Sequence, residues 1–206
     1  MTALPTTGTL RRGDIISLWI FIAAGIAVAG TTIFFAAWRI IDVATGGPLS
    51  VHAAFSGTTG TAPIGPDGAT RDVIVEQALI RPSTLSPAGV GALVIQQVVL
   101  AVTVSALVAC LLAVTVSVMR GQVFSQRNTR MVAGAGFAGL AAMFGVPFFG
   151  NMVANDAFRD ISGGSFNNVV MSADLPALIL VGFIVAMATT VFSVGDRLQH
   201  ETDGLV

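Results

Sequence analysis

The chain has 206 residues, of which 54% are hydrophobic and only 10% charged, where a soluble domain carries about 25% charged residues. Its net charge of -1 gives no long-range field that would gather nucleic acid. Cys110 is the single cysteine, so a disulfide framework or a cysteine metal site within one chain is excluded, and the residue reads as a small apolar packing element.

Four stretches, at about 15–38, 90–119, 131–154 and 175–194, contain no Asp, Glu, Lys, Arg or His. A helix of about 20 apolar residues crosses the hydrocarbon core of a bilayer, so each stretch is long enough to span it. The expected fold is therefore a membrane all-α protein, a bundle of four transmembrane helices forming one integral membrane domain. The dryness of these spans also withholds the usual functional markers, since intramembrane ionisable groups identify proton relays and ion paths.

Before the first span stand Arg11 and Arg12, and Ala27-Val28-Ala29 has the small-residue pattern of a cleavage site. An export signal has an apolar region of only about 7–15 residues, and this one is longer. The stretch reads as a retained first span with the Arg pair as its anchor. A twin-arginine signal is the competing reading, and Gly13-Asp14-Ile15 does not favour it. Within the span Gly25 and Ala29 form a small-xxx-small pair suited to close helix contact.

Basic residues set the orientation. Arg11, Arg12, Arg120, Arg127, Arg130 and Arg197 lie in the two tails and the short 120–130 loop. Arg39, Arg71, Arg81 and Arg159 are spread over the longer 39–89 and 155–174 loops together with most of the acids. Both termini and the 120–130 loop are expected in the cytoplasm, in a cell membrane crossed several times.

The 39–89 loop holds two strand patterns. Leu49, Val51, Ala53 and Phe55 alternate with Ser50, His52, Ala54 and Ser56, and 72–80 is rich in β-branched residues. A Gly-, Thr- and Pro-rich run at 57–68 reads as a long mobile tip. A lone hairpin is marginal in water, so a third strand at 165–172 is expected to complete a small extracytoplasmic β-cap. Asp156 and Asp160, near Asn155, Asn167 and Asn168, could hold Ca²⁺, but the spacing matches no calcium loop and solvated surface is the default. Gln96 and Gln97, near the outer end of the second span, can bond across helices or to the cap.

Between the second and third spans, Gly121 sits where a helix terminates and Ser125 where the next is capped. Beyond it, Gly134-Ala-Gly136-Phe-Ala-Gly139 matches the GxGxxG dinucleotide pattern. That chemistry needs a preceding strand and a phosphate at a helix start. Inside an apolar span these glycines read instead as helix-packing positions. Pro147, between Gly145 and Gly150, reads as a bend that neighbouring helices absorb.

The turn Arg120-Gly-Gln-Val-Phe-Ser-Gln-Arg-Asn128 and the tail Gly195-Asp-Arg-Leu198-Gln199-His-Glu201-Thr-Asp203 carry a further signal. Together they resemble the YoaS-like proteins, a bacterial four-span membrane family of unknown function with a G-x-x-F-S-x-x-N turn and a G-x-x-L-Q-x-E-x-D tail. Such proteins are often encoded beside a small helix-turn-helix regulator, so the resemblance implies a membrane-linked regulatory role and no activity. The matching residues are Gly121, Phe124, Ser125, Asn128, Gly195, Leu198, Gln199, Glu201 and Asp203. They read either as fixing the ends of the bundle or as a docking site for a cytoplasmic partner, with Glu201 placed to pair with Arg127 or Arg130.

Three functions compete. The first is a non-enzymatic regulatory, sensory or accessory protein, without a cofactor, whose partners are the lipid bilayer and either another protein or copies of itself. The second is a small oligomeric transporter or channel for an apolar or amphiphilic solute, which would need span residues such as Thr31, Thr32, Gln96, Gln97, Thr115, Thr189, Thr190 and Ser193 to converge on one cavity. The third, a membrane enzyme using Asp156, Asp160 or His52, has no recognisable constellation behind it. His52 and His200 are expected on opposite faces and cannot act together.

Overall fold

The computed structural model describes residues 12–166, 170 and 174–203. Its elements are α1 (Arg12–Ala44), β1 (Val51–Ala62), a short 3-10 turn (Pro66–Gly68), β2 (Arg71–Ile80), α2 (Pro87–Met119), α3 (Gln126–Ser162) and α4 (Leu175–Asp203). All four α-helices are long and apolar enough to cross a membrane. The 37-residue α3 extends for about 55 Å at 1.5 Å per residue, well beyond a bilayer core of about 30 Å. The helix therefore does not stop near 154 but runs on through Asp156 and Asp160 to Ser162.

The chain divides into two compact units. A turn unit comprises the described residues of Met1–Ile33, Val102–Ala141 and Pro176–Val206, and a hairpin unit comprises Phe34–Ala101 and Ala142–Leu175. Helices α1, α2 and α3 contribute segments to both.

In the hairpin unit β1 and β2 pair antiparallel, from Val51 opposite Ile80 to Ala62 opposite Arg71. The 57–68 run is not the long tip read from the sequence, because Gly57–Ala62 continues the strand. Thr58, Thr59 and Thr61 are β-branched and suit a pleated surface. A bulge absorbs the glycine: the register shifts between Ala54 and Thr58, and Gly57 takes the left-handed backbone (φ 65°) that such irregularities require. The true tip is compact, with Gly65 N–H donating to the Ala69 carbonyl at 2.8 Å and Asp67 in the left-handed region (φ 55°).

Among the described residues the sheet has two strands. The expected third strand at 165–172 falls largely outside them. Phe166 is described, and its ring packs against Phe55 and Phe158, with centroids 6.1 and 5.1 Å away. Val51 and Ala53 on the inner face of β1 join Ala92, Leu93, Val153, Ala154, Ala157 and Phe158 in one buried cluster. The hairpin gains stability by covering α2 and α3.

Candidate functional site

The 120–130 turn is built as the sequence dictates. At the end of α2, Gln122 N–H donates to the Ser117 carbonyl (3.0 Å) and Gly121 N–H to the Val118 carbonyl (2.9 Å). This pair of bonds closes a helix when the residue at the Gly121 position adopts positive φ, here 81°. Ser125 then caps α3, its Oγ accepting from Asn128 N–H at 3.2 Å. Asn128 is only 1% exposed. Its Nδ2 donates to the carbonyls of Gln122 (2.8 Å) and Val123 (2.9 Å), stitching the turn to the first coil of the helix. Asn128 is therefore part of the turn's interior and has no surface to offer a partner.

Phe124 carries the link to α4. Its ring meets Phe192 edge-on, centroids 5.7 Å apart. It also lies so close to Gly195 that a Cβ there would stand 2.7 Å from the ring's Cγ and Cε1. Real Cβ atoms do not approach so closely, so Gly195 is the seat on which Phe124 rests. Gly121, Phe124, Ser125, Asn128 and Gly195 thus form a single clasp joining the turn to the last helix.

The remaining residues of the tail motif stay outside the clasp. Leu198 is 53% exposed. Glu201 stands 3.9 Å from Arg197 on its own helix, not across to the turn arginines, and His200 stands 3.7 Å from Asp196. Helix spacing explains this, since residues four apart share a face. Asp203 lies in α4, with its side chain outside the described part. Next to the clasp an open apolar groove of about 630 Å³ is lined by Phe124, Thr190, Val191, Val194, Gly195, Leu198 and Gln199. Charged pairs and an open apolar stripe together make the end of α4 amphipathic.

The glycines of the GxGxxG match face neighbouring helices. A Cβ on Gly136 would collide with Val185 of α4, 2.9 Å from its Cβ, whereas Gly134 and Gly139 stand against Cys110 and Leu107 of α2, each at 3.4 Å. Gly25 is similarly set against Leu112 and Val108, at 3.2 and 3.3 Å, and Ala29 is half-buried one turn on. No strand precedes the motif, which lies within α3. Its role is close helix contact.

In the hairpin unit the two acids of interest are fasteners. Asp156 accepts from Ser86 N–H and Ser86 Oγ, both at 2.7 Å. Asp160 accepts from Ser83 N–H at 2.8 Å and from the Thr84 hydroxyl at 3.2 Å. Four residues apart on one face of α3, they hold the strap that leads into α2. Ser86 itself caps α2, its Oγ accepting from Gly89 N–H at 3.1 Å. The Ser83 backbone bond, assisted by Thr84, holds the Asp160 carboxyl below its ordinary pKa despite the opposing cost of desolvation. Sequence reading missed this role because Ser83, Thr84 and Ser86 lie about 70 residues from their acceptors. Their only local signal is a cap-like Ser before Pro87.

Gln96 crosses to α3, donating from Nε2 to the Val146 carbonyl at 3.2 Å. Gly150 makes room for it, because a Cβ there would lie 2.6 Å from that nitrogen. At the end of α1, Arg39 Nη2 donates to the Ser50 carbonyl at 2.5 Å and its Nη1 stands 3.7 Å from Asp42. Comparison with known proteins adds nothing to this geometry: no family model, no curated protein and no solved structure matches the chain.

Proposed function

We propose that this chain is a multi-pass protein of the cell membrane, with both termini and the 120–130 turn in the cytoplasm and the hairpin outside. It acts as a non-enzymatic regulatory or accessory subunit, docking a cytoplasmic protein partner on the end of α4. The observation that carries this reading is the separation of roles within the turn and tail motifs. Gly121, Ser125 and Asn128 are spent on the turn's own bonds, whereas Phe124 and Gly195 join the turn to α4 and line, with Leu198 and Gln199, the open apolar groove beside it. An exposed Leu on an amphipathic helix end suits the helix-in-groove mode of recognition, in which an apolar helix face seats in a partner's groove. The same residues carry the resemblance to the YoaS-like family, which agrees with a regulatory role.

Two further observations favour this reading over its rivals. The acids that an outer-face enzyme would have used are occupied as acceptors for Ser83, Thr84 and Ser86. The hydroxyls in the spans are partly engaged within their own helices. The hydroxyls of Thr31, Thr32, Thr115, Thr189 and Thr190 donate to carbonyls of their own helices.

The test is a photocrosslinking residue placed at Leu198 in full-length protein in native membranes, with the same residue at Ile64 on the hairpin as control. The expected result is one stoichiometric protein adduct from position 198 only, abolished by Val194→Asp. Adducts only with further copies of the chain, or only with lipid, would overturn the docking reading.

A further inference from the structure

We infer that the hairpin unit holds a binding site for a small oxyanion, in the cavity between the end of α1, the base of β1 and the facing sides of α2 and α3. The cavity has a volume of about 260 Å³, and Arg39, His52, Gln96 and Gln97 supply its hydrogen-bonding side chains. Val51, Leu93 and Val153 supply apolar wall. Every ionisable side chain on the lining is basic, and no carboxylate lines it.

Donor capacity remains there. A guanidinium has five N–H donors in a planar fork matched to two oxygens of a carboxylate or phosphate. In Arg39 one of them goes to the Ser50 carbonyl at 2.5 Å, and Asp42, outside the lining, is its ion-pair partner at 3.7 Å. Gln96 uses its nitrogen on Val146. The Gln97 carboxamide and the exposed His52 imidazole also line the cavity. Arg39 is ion-paired with Asp42 on one side and still presents N–H donors to the cavity beside Gln97 and His52, a donor set from which an oxyanion can accept.

The volume limits the ligand. At about 30 Å³ per liquid water the cavity holds the equivalent of about nine waters, enough for a phosphate group or a short carboxylate and too little for a nucleotide. Arg39 closely follows the first apolar stretch, and Gln96 and Gln97 are near one end of the second. In the membrane reading this is headgroup depth, so the oxyanion can come from a lipid phosphate or from a free solute.

The experiment uses the full chain in dodecyl maltoside, which contains no phosphate. Thermal unfolding and titration calorimetry are followed with inorganic phosphate, with a water-soluble short-chain phosphatidylglycerol, and with sodium chloride at matched ionic strength. The expected result is saturable binding of at least one phosphate probe and none of chloride. Gln97→Leu is expected to weaken that binding about tenfold, the loss of one charge-assisted hydrogen bond, without changing the unfolding temperature of the free protein. Arg39→Gln is expected to abolish it. Binding of the phosphatidylglycerol alone identifies a lipid headgroup site, and binding of inorganic phosphate identifies a solute site. Failure of both probes to bind saturably, or full affinity in Gln97→Leu, overturns the proposal.

Discussion

The two units of this molecule are held together by different means. In the hairpin unit eight residues, from Val51 to Phe158, form a buried apolar cluster, and side chains far apart in sequence are tied by the Asp156, Asp160 and Arg39 bonds. In the turn unit the buried residues are few, Val108, Thr115, Asn128 and Ala135 among them. Large apolar side chains face outward in both units, Ile179 (71% exposed) and Phe137 (72%) in the turn unit and Ile74 (69%) and Phe35 (65%) in the hairpin unit. The difference is the one expected if the hairpin meets water and the helices meet lipid. A unit with a hairpin in water gains from removing apolar surface. Helices in lipid gain nothing by hiding leucine from hydrocarbon and rely on close backbone approach at small residues.

If that contrast is correct, the units should fail in different ways. The largest effect is expected for Gly136→Leu, which drives a bulky side chain into Val185. Overpacking of this kind costs about 1–3 kcal/mol or more, and the loss of a monodisperse species in mild detergent checks it. Gly195→Leu should act similarly by displacing Phe124. Next comes Asp156→Ala, which strips acceptors from Ser86 N–H and Oγ and should cost about 1–3 kcal/mol of stability. Asp156→Asn retains one acceptor oxygen and should cost less, both being read by thermal unfolding.

A smaller, pH-dependent effect is expected at Asp160, which lies beyond the third span. Its folded-state pKa is depressed, so its contribution is complete above the unfolded carboxylate value of about 3.9 and is lost as pH falls through the lower folded value. Hydrogen exchange of the 83–86 amides should accelerate over that acid range, and Asp160→Asn should remove the dependence. The smallest effect on stability is expected for Leu198→Asp, at about 0.5 kcal/mol or less, because the side chain is half exposed. That variant should unfold as the parent does and yet lose the partner adduct.

Much of this architecture can be read in the sequence, and the places where it cannot are instructive. Hydropathy locates four helices because a spanning helix must be apolar along its length whatever its neighbours. Gly121 and Ser125 mark the ends of α2 and α3 because caps are local chemistry. The strand past Gly57 was hidden, since a bulge depends on the partner strand and not on the run itself. The Asp156 and Asp160 fasteners were hidden too, because their donors approach only when β2 has delivered the strap to α3. Among the residues of the turn and tail motifs the sequence pattern was complete but could not separate roles. Only burial distinguishes Asn128, consumed within the turn, from Leu198, left outside it.

The most direct test of the account is a sidedness measurement on intact cells. With Cys110→Ala as background, single cysteines at Gly68 in the hairpin tip and at Leu198 on α4 are exposed to a membrane-impermeant maleimide before and after permeabilisation. The expected result is labelling at 68 in intact cells and at 198 only after permeabilisation. Labelling of both positions in intact cells, or of 198 alone, would contradict a four-span protein with its hairpin outside and its clasp within.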